Sequence, residues 1–456
     1  MMGGKLFLNR VDELSVLEKE FVKNGSAFTV IYGRRRVGKT ALISEFIKNK
    51  THIYFYATEM PLNRQLDFLK EQCADMLKKE YLRNISFNSF EQFFLFLADS
   101  MPNEKLVFVI DEFQELCKLD TSFSSMLQKV WDTKLKNLNI YLILCGSVIS
   151  MMYSEVLNYN APLYGRRTSN IKLAPLMFHH ISAFTGVDDL ETQMMIYASF
   201  GTVPKYLEMY DKNAGFIENI KENILNKNSY LYQEIRFLLK DEIADHTTYF
   251  RILEIIANGE TKIGAIASKV GMPTPHLSRY MQKLIDLELI EKEIPVTEKE
   301  PIKSKLGRYR IKDNFLAFWF YFVYRNYSYL EIGNIDHVVS EIESNFNEKF
   351  VSFAYEQYAK EMILSDPLKY LGFFPQKLGR WWNGQEEIDL VAFSEDKIAF
   401  IECKWQSKPV SFDVLENLKR KSEIAVKDSK AEKVFVLFSK SGFSENVVKS
   451  GTILCR

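Results

Sequence analysis

Three uninterrupted apolar runs in the first third of the chain predict buried strands. They cover residues 27–32, 106–110 and 140–144. Strands that are apolar on both faces are typical of the centre of a parallel sheet covered by helices. Residues 40–50, which follow the first run, instead repeat their apolar positions at helical spacing. These patterns predict an α/β domain at the N-terminus.

Beyond about residue 230 the pattern changes to short amphipathic helices. The segments 249–260, 262–272 and 274–292 carry apolar residues at helical spacing, and a turn separates the last two. Thr274 is suited to cap the third helix and Pro275 to occupy its first position. The polar residues 293–313 then predict a two-stranded segment. Together these elements predict a helix-turn-helix followed by a wing.

Two groups of polar side chains make this winged helix a candidate for DNA contact. One group lies on or near the exposed face of the third helix, and the other crowds the wing. They are His276, Ser278, Arg279, Gln282 and Lys283 on the helix, and Lys303, Lys305, Arg308, Arg310 and Lys312 on the wing. The alternative is that the winged helix is a structural spacer or relay element.

Residues 314–330 are almost continuously apolar and aromatic. One interpretation is base stacking, since Phe, Tyr and Trp are the usual platforms for nucleic-acid bases. We favour a core helix that packs the winged helix against the following residues, because so apolar a surface does not suit a wet nucleic-acid interface.

Composition and charge narrow these predictions. A chain of 456 residues is too long for one core and predicts several domains. The 59 basic and 59 acidic residues balance, so nucleic acid would have to be bound through local patches. The five cysteines include no C-x-x-C pair, and no apolar run is long enough to span a membrane. We therefore expect a cytoplasmic protein without membrane contact.

The loop after the first predicted strand carries a phosphate-binding motif. Its sequence GRRRVGKT matches G-x-x-x-x-G-K-[ST], and a loop of this kind between a strand and a helix offers backbone N–H groups to phosphates. The residues expected to cradle ATP are Gly33, Arg34, Arg35, Arg36, Val37, Gly38, Lys39, Thr40 and Ala41. Lys39 would reach the β- and γ-phosphates and Thr40 the Mg²⁺ ion. The alternative is a glycine turn with solvated arginines.

The second apolar run supplies the carboxylates that ATP hydrolysis needs. It ends in Asp111 and Glu112. Asp111 is expected to hold the Mg²⁺ shell and Glu112 to polarise the attacking water. After the third run, either Ser147 or Ser150 is expected to sense the γ-phosphate.

A pair of arginines follows a glycine further along the chain. Arg166 or Arg167 could act as an arginine finger on the nucleotide of a neighbouring subunit. This hypothesis implies a homo-oligomer. The alternative is that both are solvated surface arginines.

Six motifs, in this order, resemble the archaeal-type ATPase family, a P-loop branch near the AAA+ and signal-transducing NTPases. They are FLNRVDELSVL, YGRRRVGKT, FVIDEFQEL, LCGSV, PLYGRR and FGTVPKYL. The resemblance implies that Asn9 and Arg10 lie near the adenine and that Pro204 belongs to a helical lid over the nucleotide. The family often has two glycines before the proline segment, where this chain has Phe200 and Gly201. Only the detail of the lid depends on this difference.

The C-terminal region suggests a second chemistry. If residues 394–397 form a four-residue hairpin loop, the antiparallel register follows by counting outward from it. The predicted pairs are Phe393 with Ile398, Val391 with Phe400, and Asp389 with Glu402. Two facing carboxylates repel each other unless a cation lies between them.

These residues predict a magnesium nuclease site. Asp389 and Glu402 would hold the metal, and Lys404, on the same strand face as Glu402, would orient the hydrolytic water. Glu356, a carboxylate on a largely apolar helical face, is a candidate fourth member. The pattern resembles the PD-(D/E)XK restriction-endonuclease superfamily. Two alternatives stay open: an ordinary cross-strand ion network, and a nuclease fold that binds nucleic acid without cutting it.

The predicted organisation therefore has four parts. They are a P-loop ATPase core at 1–175, a helical lid at 176–235, a winged helix-turn-helix at 236–313, and an aromatic linker helix with an α/β restriction-endonuclease-like domain at 314–456. We expect ATP and Mg²⁺ as cofactors and DNA as a partner, with the ATP state gating the C-terminal domain on DNA. The rival hypothesis is a regulatory ATPase switch whose other domains only bind DNA or a partner protein.

Overall fold

The computed structural model describes residues 7–240, 242–243, 245–427 and 429–455. The chain divides into two compact units. The first runs to Leu176 and includes Val203–Lys205, and the second comprises Met177–Thr202 and the chain from Tyr206 onward.

A five-stranded sheet forms the centre of the first unit. Its strands are β1 (Ala27–Tyr32), β2 (His52–Tyr56), β3 (Leu106–Asp111), β4 (Ile140–Gly146) and β5 (Ser169–Lys172). Their order across the sheet is β2-β3-β4-β1-β5, and all neighbouring pairs are parallel. This arrangement confirms the predicted α/β domain with a parallel sheet.

The three predicted central strands are buried along their whole length. Alternate side chains of β1 enter two different cores, with Phe28 and Val30 on one face of the sheet and Ala27 and Ile31 on the other. Each large side chain buried in this way contributes about 1.5–3 kcal/mol to folding. The uninterrupted apolar runs therefore reflect a sheet that is covered by helices on both faces.

The helices of the first unit lie between and around these strands. They are α1 (Val11–Phe21), α2 (Lys39–Ile47), α3 (Leu62–Leu77), α4 (Phe90–Asp99), α5 (Phe113–Leu119), α6 (Phe123–Thr133) and α7 (Ile149–Met152). Because the strands are parallel, the segments that follow β1, β3 and β4 meet at one edge of the sheet. The predicted phosphate loop, the two acids and Ser147 all belong to these segments.

The chain then continues as short helices. They are α8 (Ile181–Thr185), α9 (Leu190–Phe200), α10 (Pro204–Leu207), α11 (Phe216–Ile220) and α12 (Tyr230–Lys240). Three further helices and an antiparallel hairpin occupy the predicted helix-turn-helix segment. They are α13 (His246–Ala257), α14 (Ile263–Val270), α15 (Thr274–Asp286), β6 (Ile290–Glu293) and β7 (Arg308–Ile311).

Helix α15 begins one residue earlier than predicted. Its N-cap is Pro273, and Thr274 is already helical, so Thr274 does not cap the helix as expected. Pro275 lies in the first turn, where its missing N–H needs no partner. The prediction was wrong because two prolines two residues apart both suit a helix start.

The aromatic segment is a core helix, as predicted. It comprises α16 (Asn314–Phe318) and a π-helical turn over Trp319–Tyr324. The Phe320 ring lies 5.3 Å from that of Phe250 on α13, and Trp319 Nε1 donates a hydrogen bond to a backbone oxygen at 2.9 Å. Both side chains are fully buried, so the base-stacking interpretation was wrong.

Four helices lead from this segment to a second five-stranded sheet. The helices are α17 (Tyr327–Glu331), α18 (Ile335–Phe346), α19 (Ser352–Ser365) and α20 (Pro367–Leu371). The strands are β8 (Lys377–Trp382), β9 (Glu387–Phe393), β10 (Lys397–Lys404), β11 (Glu432–Ser439) and β12 (Ile453–Cys455), with helices α21 (Phe412–Ala425) and α22 (Glu445–Val448) among them. Strands β8, β9 and β10 are antiparallel, whereas β10, β11 and β12 are parallel.

The predicted hairpin register is confirmed for two of its three pairs. Phe393 pairs with Ile398 and Val391 with Phe400. The ladder between β9 and β10 ends at Leu390, which pairs with Ile401, so Asp389 and Glu402 do not form the predicted ladder pair. The two acids lie one residue beyond the last pair, in the same register, on strands that both continue past this point.

None of the described helices combines the length and the apolar character that a membrane-spanning helix requires.

Gly33 is the one position in the phosphate loop where the backbone of another segment excludes a side chain. It has φ of 150°, and a Cβ atom there would lie 2.3 Å from the backbone oxygen of Leu173. We expect Gly33→Ala to lower the free energy of unfolding by about 2 kcal/mol more than Gly25→Ala. Gly25 also has a positive φ, of 79°, but has nothing within 4 Å of a Cβ atom. Chemical denaturation of both variants tests this, and equal losses would contradict it.

Candidate functional site

The phosphate loop holds a buried lysine at the start of α2. Lys39 is 6% exposed, and its ammonium donates hydrogen bonds to the backbone oxygens of Gly33 at 2.9 Å and Arg34 at 3.0 Å. In the described part of the chain, no carboxylate forms an ion pair with it. A buried ammonium held only by carbonyl oxygens is well suited to an anionic ligand.

Two residues in the second half of the loop have a left-handed backbone conformation. Gly38 has φ of 96° and Arg36 has φ of 70°, both in the left-handed region. Arg34 and Val37 are buried, whereas Ala41 is exposed on α2. The loop is therefore a structured turn with buried cationic side chains, which argues against the alternative of solvated arginines on a simple glycine turn.

Arg10 fastens this loop to the residues after β5. It is buried, and its guanidinium donates to the backbone oxygens of Val37 at 3.0 Å and Ala174 at 2.7 Å. Burial lowers the pKa of Arg10, while the nearby Glu13 carboxylate opposes that shift. Asn9, its neighbour, is exposed and also has a positive φ of 68°.

Asp111 is a buried carboxylate at the end of β3, beside the phosphate loop. It is 1% exposed, and its Oδ2 accepts a hydrogen bond from Thr40 Oγ1 at 2.9 Å. The backbone N–H of Glu112 donates to Oδ1 at 2.9 Å. The two residues predicted to hold Mg²⁺ are thus brought together by the fold.

Tyr54 is a further partner of Asp111 that the sequence did not reveal. Its hydroxyl donates to the same Oδ2 atom. Burial, followed by the Asp111 charge, raises the pKa of Tyr54 well above its usual value. Tyr54 lies on β2, next to β3 in the sheet, and only the strand order could have identified this contact.

Glu112 adopts a left-handed backbone conformation, with φ of 53°, directly before α5. Its Oε2 accepts hydrogen bonds from Ser147 Oγ at 2.7 Å and from Gln114 Nε2. Arg35 Nε donates to Ser147 Oγ at 3.5 Å. Of the two candidate serines, Ser147 is therefore in contact with Glu112, whereas Ser150 lies within α7.

Both candidate finger arginines have partners within their own chain. Arg166 forms an ion pair with Asp132 at 2.9 Å. Arg167 donates to the backbone oxygen of Val156 at 2.9 Å. The predicted lid residue, Pro204, begins the short helix α10.

The predicted C-terminal acids lie on adjacent strands and are both buried. Asp389, on β9, is 8% exposed, and Glu402, on β10, is 6% exposed. Asp389 Oδ2 accepts the backbone N–H of Cys403 at 2.8 Å. Burial raises the pKa of Asp389 well above its usual value, and the charges of Glu356 and Glu402 raise it further.

The two oxygens of Glu402 have different surroundings. Oε1 accepts from Lys404 Nζ at 2.7 Å and lies 3.6 Å from Lys421 Nζ. Oε2 is buried and has no hydrogen-bond partner within the described residues. Lys404 shares a strand face with Glu402, as predicted, whereas Lys421 comes from α21 and was missed because its partner lies on a distant strand.

Glu356 lies on α19 and forms an ion pair with Arg380 of β8. Burial raises the pKa of Glu356, while the charges of Arg380 and Arg310 oppose that shift. In the ranges that the structure describes, no group of three or more His, Cys, Asp and Glu side chains is arranged to hold a metal ion. The carboxylates here thus share their cluster with basic side chains.

The predicted basic patch on the hairpin is only partly present. Arg308 pairs with Glu387 of β9 at 2.9 Å, and Arg310 pairs with Glu293 of β6 at 2.8 Å. Arg310 also stacks on the Phe353 ring of α19. Arg308 is therefore paired with the C-terminal sheet, and Arg310 is paired within the hairpin and packed on α19, and both guanidinium groups are half-buried.

The other predicted DNA-contact residues remain at the surface. The exposed residues are His276, Ser278, Arg279 and Gln282 on α15, Lys303 and Lys305 in the hairpin loop, and Lys312 directly after β7. Lys283 on α15 is half-buried. Lys303 pairs with Glu300 at 2.7 Å, which reduces its net positive field.

The parallel sheet, the glycine loop and the acidic strand define a P-loop ATPase domain. Comparisons with known proteins agree. Residues 7–210 match a family described as "ATPase domain predominantly from Archaea". Residues 319–423 match a second family, described as "Archaea bacterial proteins of unknown function".

A relative that matches most of this chain shows the family to which it belongs. The uncharacterized protein MJECL04 of Methanocaldococcus jannaschii is 38% identical over 404 residues, which are 88% of each chain. This chain therefore belongs to the archaeal ATPase family. The uncharacterized ATP-binding protein MJ0423 of the same organism is 48% identical over 50 residues, which are 11% of this chain and 85% of that protein.

A solved structure agrees with the fold. The Walker-type ATPase PABY2304 of Pyrococcus abyssi has a TM-score of 0.52 at 19% sequence identity, and the match covers 69% of this chain and 96% of that chain. At this identity the likeness concerns the fold alone.

Asp389→Asn tests whether the buried negative charge of Asp389 destabilises the folded protein when no metal is bound. The pKa of Asp389 in the folded protein is raised above the unfolded value of about 3.9. Below that value Asp389 is protonated in both states and does not affect stability. As the pH rises above it, the unfolded state loses the proton more readily, so the folded state is increasingly destabilised. We expect Asp389→Asn to unfold at a higher temperature than wild type at pH 7 in EDTA, with the gain vanishing near pH 4.

The control for this experiment is Asp413→Asn, an exposed carboxylate in the first turn of α21. It should give no gain at either pH. Equal melting temperatures for Asp389→Asn and wild type at pH 7 would mean that the charge of Asp389 is compensated in solution.

Proposed function

We propose that this ATPase-family protein binds and hydrolyses ATP at the edge of the first sheet and uses the nucleotide state to control its second unit. The observation that carries the proposal is the convergence of Lys39, Thr40, Asp111 and Glu112 on the loops after β1 and β3. The lysine supplies a buried cation for the β- and γ-phosphates, and the loop supplies backbone N–H groups.

The residues also fit a magnesium ion. Thr40 Oγ1 and Asp111 Oδ2 are oxygen ligands of the kind that Mg²⁺ prefers, and they lie 2.9 Å apart. The ion would neutralise negative charge on the phosphates. Glu112, whose Oε1 forms no hydrogen bond within the described residues, polarises the attacking water.

Lys39→Ala and Glu112→Gln separate nucleotide binding from hydrolysis. Lys39→Ala should abolish ATP binding, because it removes the buried cation. Glu112→Gln should bind ATP with unchanged affinity and lower the turnover number at least about a hundredfold, because an amide cannot act as a base. Binding is measured with a fluorescent ATP analogue and turnover by phosphate release.

Glu115→Gln is a suitable control, since it changes a nearby carboxylate that instead pairs with Lys118. It should leave binding and turnover unchanged. Normal hydrolysis by Glu112→Gln would remove Glu112 from the mechanism.

The second candidate function is a metal-dependent phosphodiesterase in the C-terminal sheet. The observation that favours it is the buried Oε2 of Glu402, which has no partner among the described residues and lies in a cluster with Asp389. The order of elements, a helix, three antiparallel strands, a helix and a parallel strand, supports a restriction-endonuclease-like fold. Glu356 would add negative charge beside Asp389, which attracts a cation to the cluster.

Carboxylate oxygens are ligands that Mg²⁺ prefers, so Asp389 and Glu402 would hold the ion. The ion would supply activation of a water molecule and stabilisation of negative charge on the phosphate. Lys404 would orient that water. DNA would reach the protein through the exposed face of α15, in a winged helix formed with the β6–β7 hairpin. The rival is an ion network in a domain that only binds DNA or a protein.

Incubation of supercoiled plasmid with the full chain, ATP and Mg²⁺ or Mn²⁺ tests this second function. Wild type should nick or linearise the plasmid, and Lys404→Ala should lose cleavage while ATP hydrolysis remains. Lys397→Ala is the matched control, because Lys397 lies on the same strand but pairs with Glu432. Uncut plasmid under all conditions, with a shift of its mobility in a gel, would favour the regulatory switch.

Four further expectations from the sequence stay proposals. They are a homo-oligomer in which Arg166 or Arg167 reaches a neighbouring nucleotide, adenine contacts by Asn9 and Arg10, a lid that includes Pro204, and a cytoplasmic location.

A further inference from the structure

Gln114 is a fully buried glutamine in the first turn of α5. Its Nε2 donates a hydrogen bond to Oε2 of Glu112 and lies 3.4 Å from Oγ of Ser147. Ser147 donates to the same oxygen of Glu112 at 2.7 Å. One oxygen of this carboxylate is therefore held by two donors, one from the start of α5 and one from the segment after β4.

The other end of the Gln114 amide argues against a purely structural role. Its Oε1 atom is buried and has no hydrogen-bond partner within the described residues. An unpaired buried amide oxygen lowers stability, and an apolar side chain of equal length would avoid this cost. The side chain is therefore not optimised for packing, and its donor is directed at Glu112.

Gly146, the last residue of β4, makes room for this arrangement. A Cβ atom at this position would lie 2.9 Å from Oε1 of Gln114 and 2.2 Å from Sδ of Met152. A larger residue would displace the amide from the carboxylate. The strand that ends beside Ser147 is thus shaped to accommodate Gln114 as well.

We infer that Gln114 is a positioning residue for ATP hydrolysis, which together with Ser147 anchors one oxygen of Glu112 and leaves the other oxygen for the attacking water. The inference rests on the proposed role of Glu112. A carboxylate anchored at one oxygen keeps the other in a defined direction, and small errors in the placement of a base reduce turnover strongly. The left-handed backbone of Glu112, which is strained for a residue other than glycine, also needs such support.

Gln114→Met tests the inference, because methionine has a similar length and no donor. We expect the turnover number to fall about tenfold or more, since a hydrogen bond to a charged group is lost. The KM for ATP and the affinity for a fluorescent ATP analogue should stay within about twofold of wild type. The melting temperature should not fall, because the unpaired Oε1 is removed as well.

Gln65→Met is the matched control. Gln65 is also fully buried with an unpaired Oε1, but its amide donates to the backbone oxygens of Thr58 and Met60. This variant should lower the melting temperature, because two backbone oxygens lose their donor, whereas Glu112 Oε2 keeps Ser147 as a donor in Gln114→Met. It should leave the turnover number unchanged. The inference is overturned if Gln114→Met keeps wild-type turnover, or if it loses stability and nucleotide affinity together with turnover.

A second measurement covers the case in which Gln114→Met does not fold. Gln114→Glu places two carboxylates in contact and should lower the melting temperature, whereas adding Glu112→Gln restores an amide-to-carboxylate hydrogen bond and should recover most of the loss. Additive effects would show that the two side chains do not interact in solution. If instead Glu112→Gln alone hydrolyses ATP normally, the proposed role of Glu112 fails and the inference with it, whereas ATP hydrolysis itself stands.

Discussion

Buried charge is the constraint on which both candidate sites depend. A carboxylate or an ammonium removed from water must find hydrogen-bond donors, acceptors or an opposite charge, or its ionised form becomes unfavourable. In the first unit this requirement is met by the chain itself: Asp111 accepts from two side chains and a backbone N–H, and Lys39 donates to the backbone of its own loop. The candidate nucleotide site is therefore held together by hydrogen bonds within the chain itself.

The C-terminal cluster satisfies the same constraint less completely. Lys404 and Lys421 approach one oxygen of Glu402, Arg380 pairs with Glu356, and yet the pKa of Asp389 is raised and Glu402 Oε2 lacks a partner among the described residues. A divalent cation would supply the missing positive charge. The two clusters therefore differ: the groups of the first are paired within the chain, whereas the second keeps a buried carboxylate oxygen without a partner among the described residues.

The same constraint decides which basic side chains of the predicted winged helix stay at the surface. Arg308 pairs with Glu387 of the C-terminal sheet and Arg310 with Glu293 of its own hairpin, so both charges are used inside the second unit. The exposed polar side chains of α15 lie outside these ion pairs, and the proposed DNA contact depends on them. The sequence overestimated the positive charge exposed on the hairpin, because it does not show which acidic side chain each arginine contacts.

The sequence by itself determined the features that depend on residues near one another in the chain. Apolar runs predicted the central strands, the glycine motif predicted the phosphate loop, and the hairpin loop predicted most of the β9–β10 register, because burial, turn geometry and alternation act over a few positions. Only the tertiary structure decided which side chains complete the sites. Tyr54, Gln114 and Lys421 acquire their roles from strand order and helix packing. The hydrogen-bond partner of a buried polar group is a side chain that the fold places within about 3 Å of it. That partner is seldom close to it in the sequence.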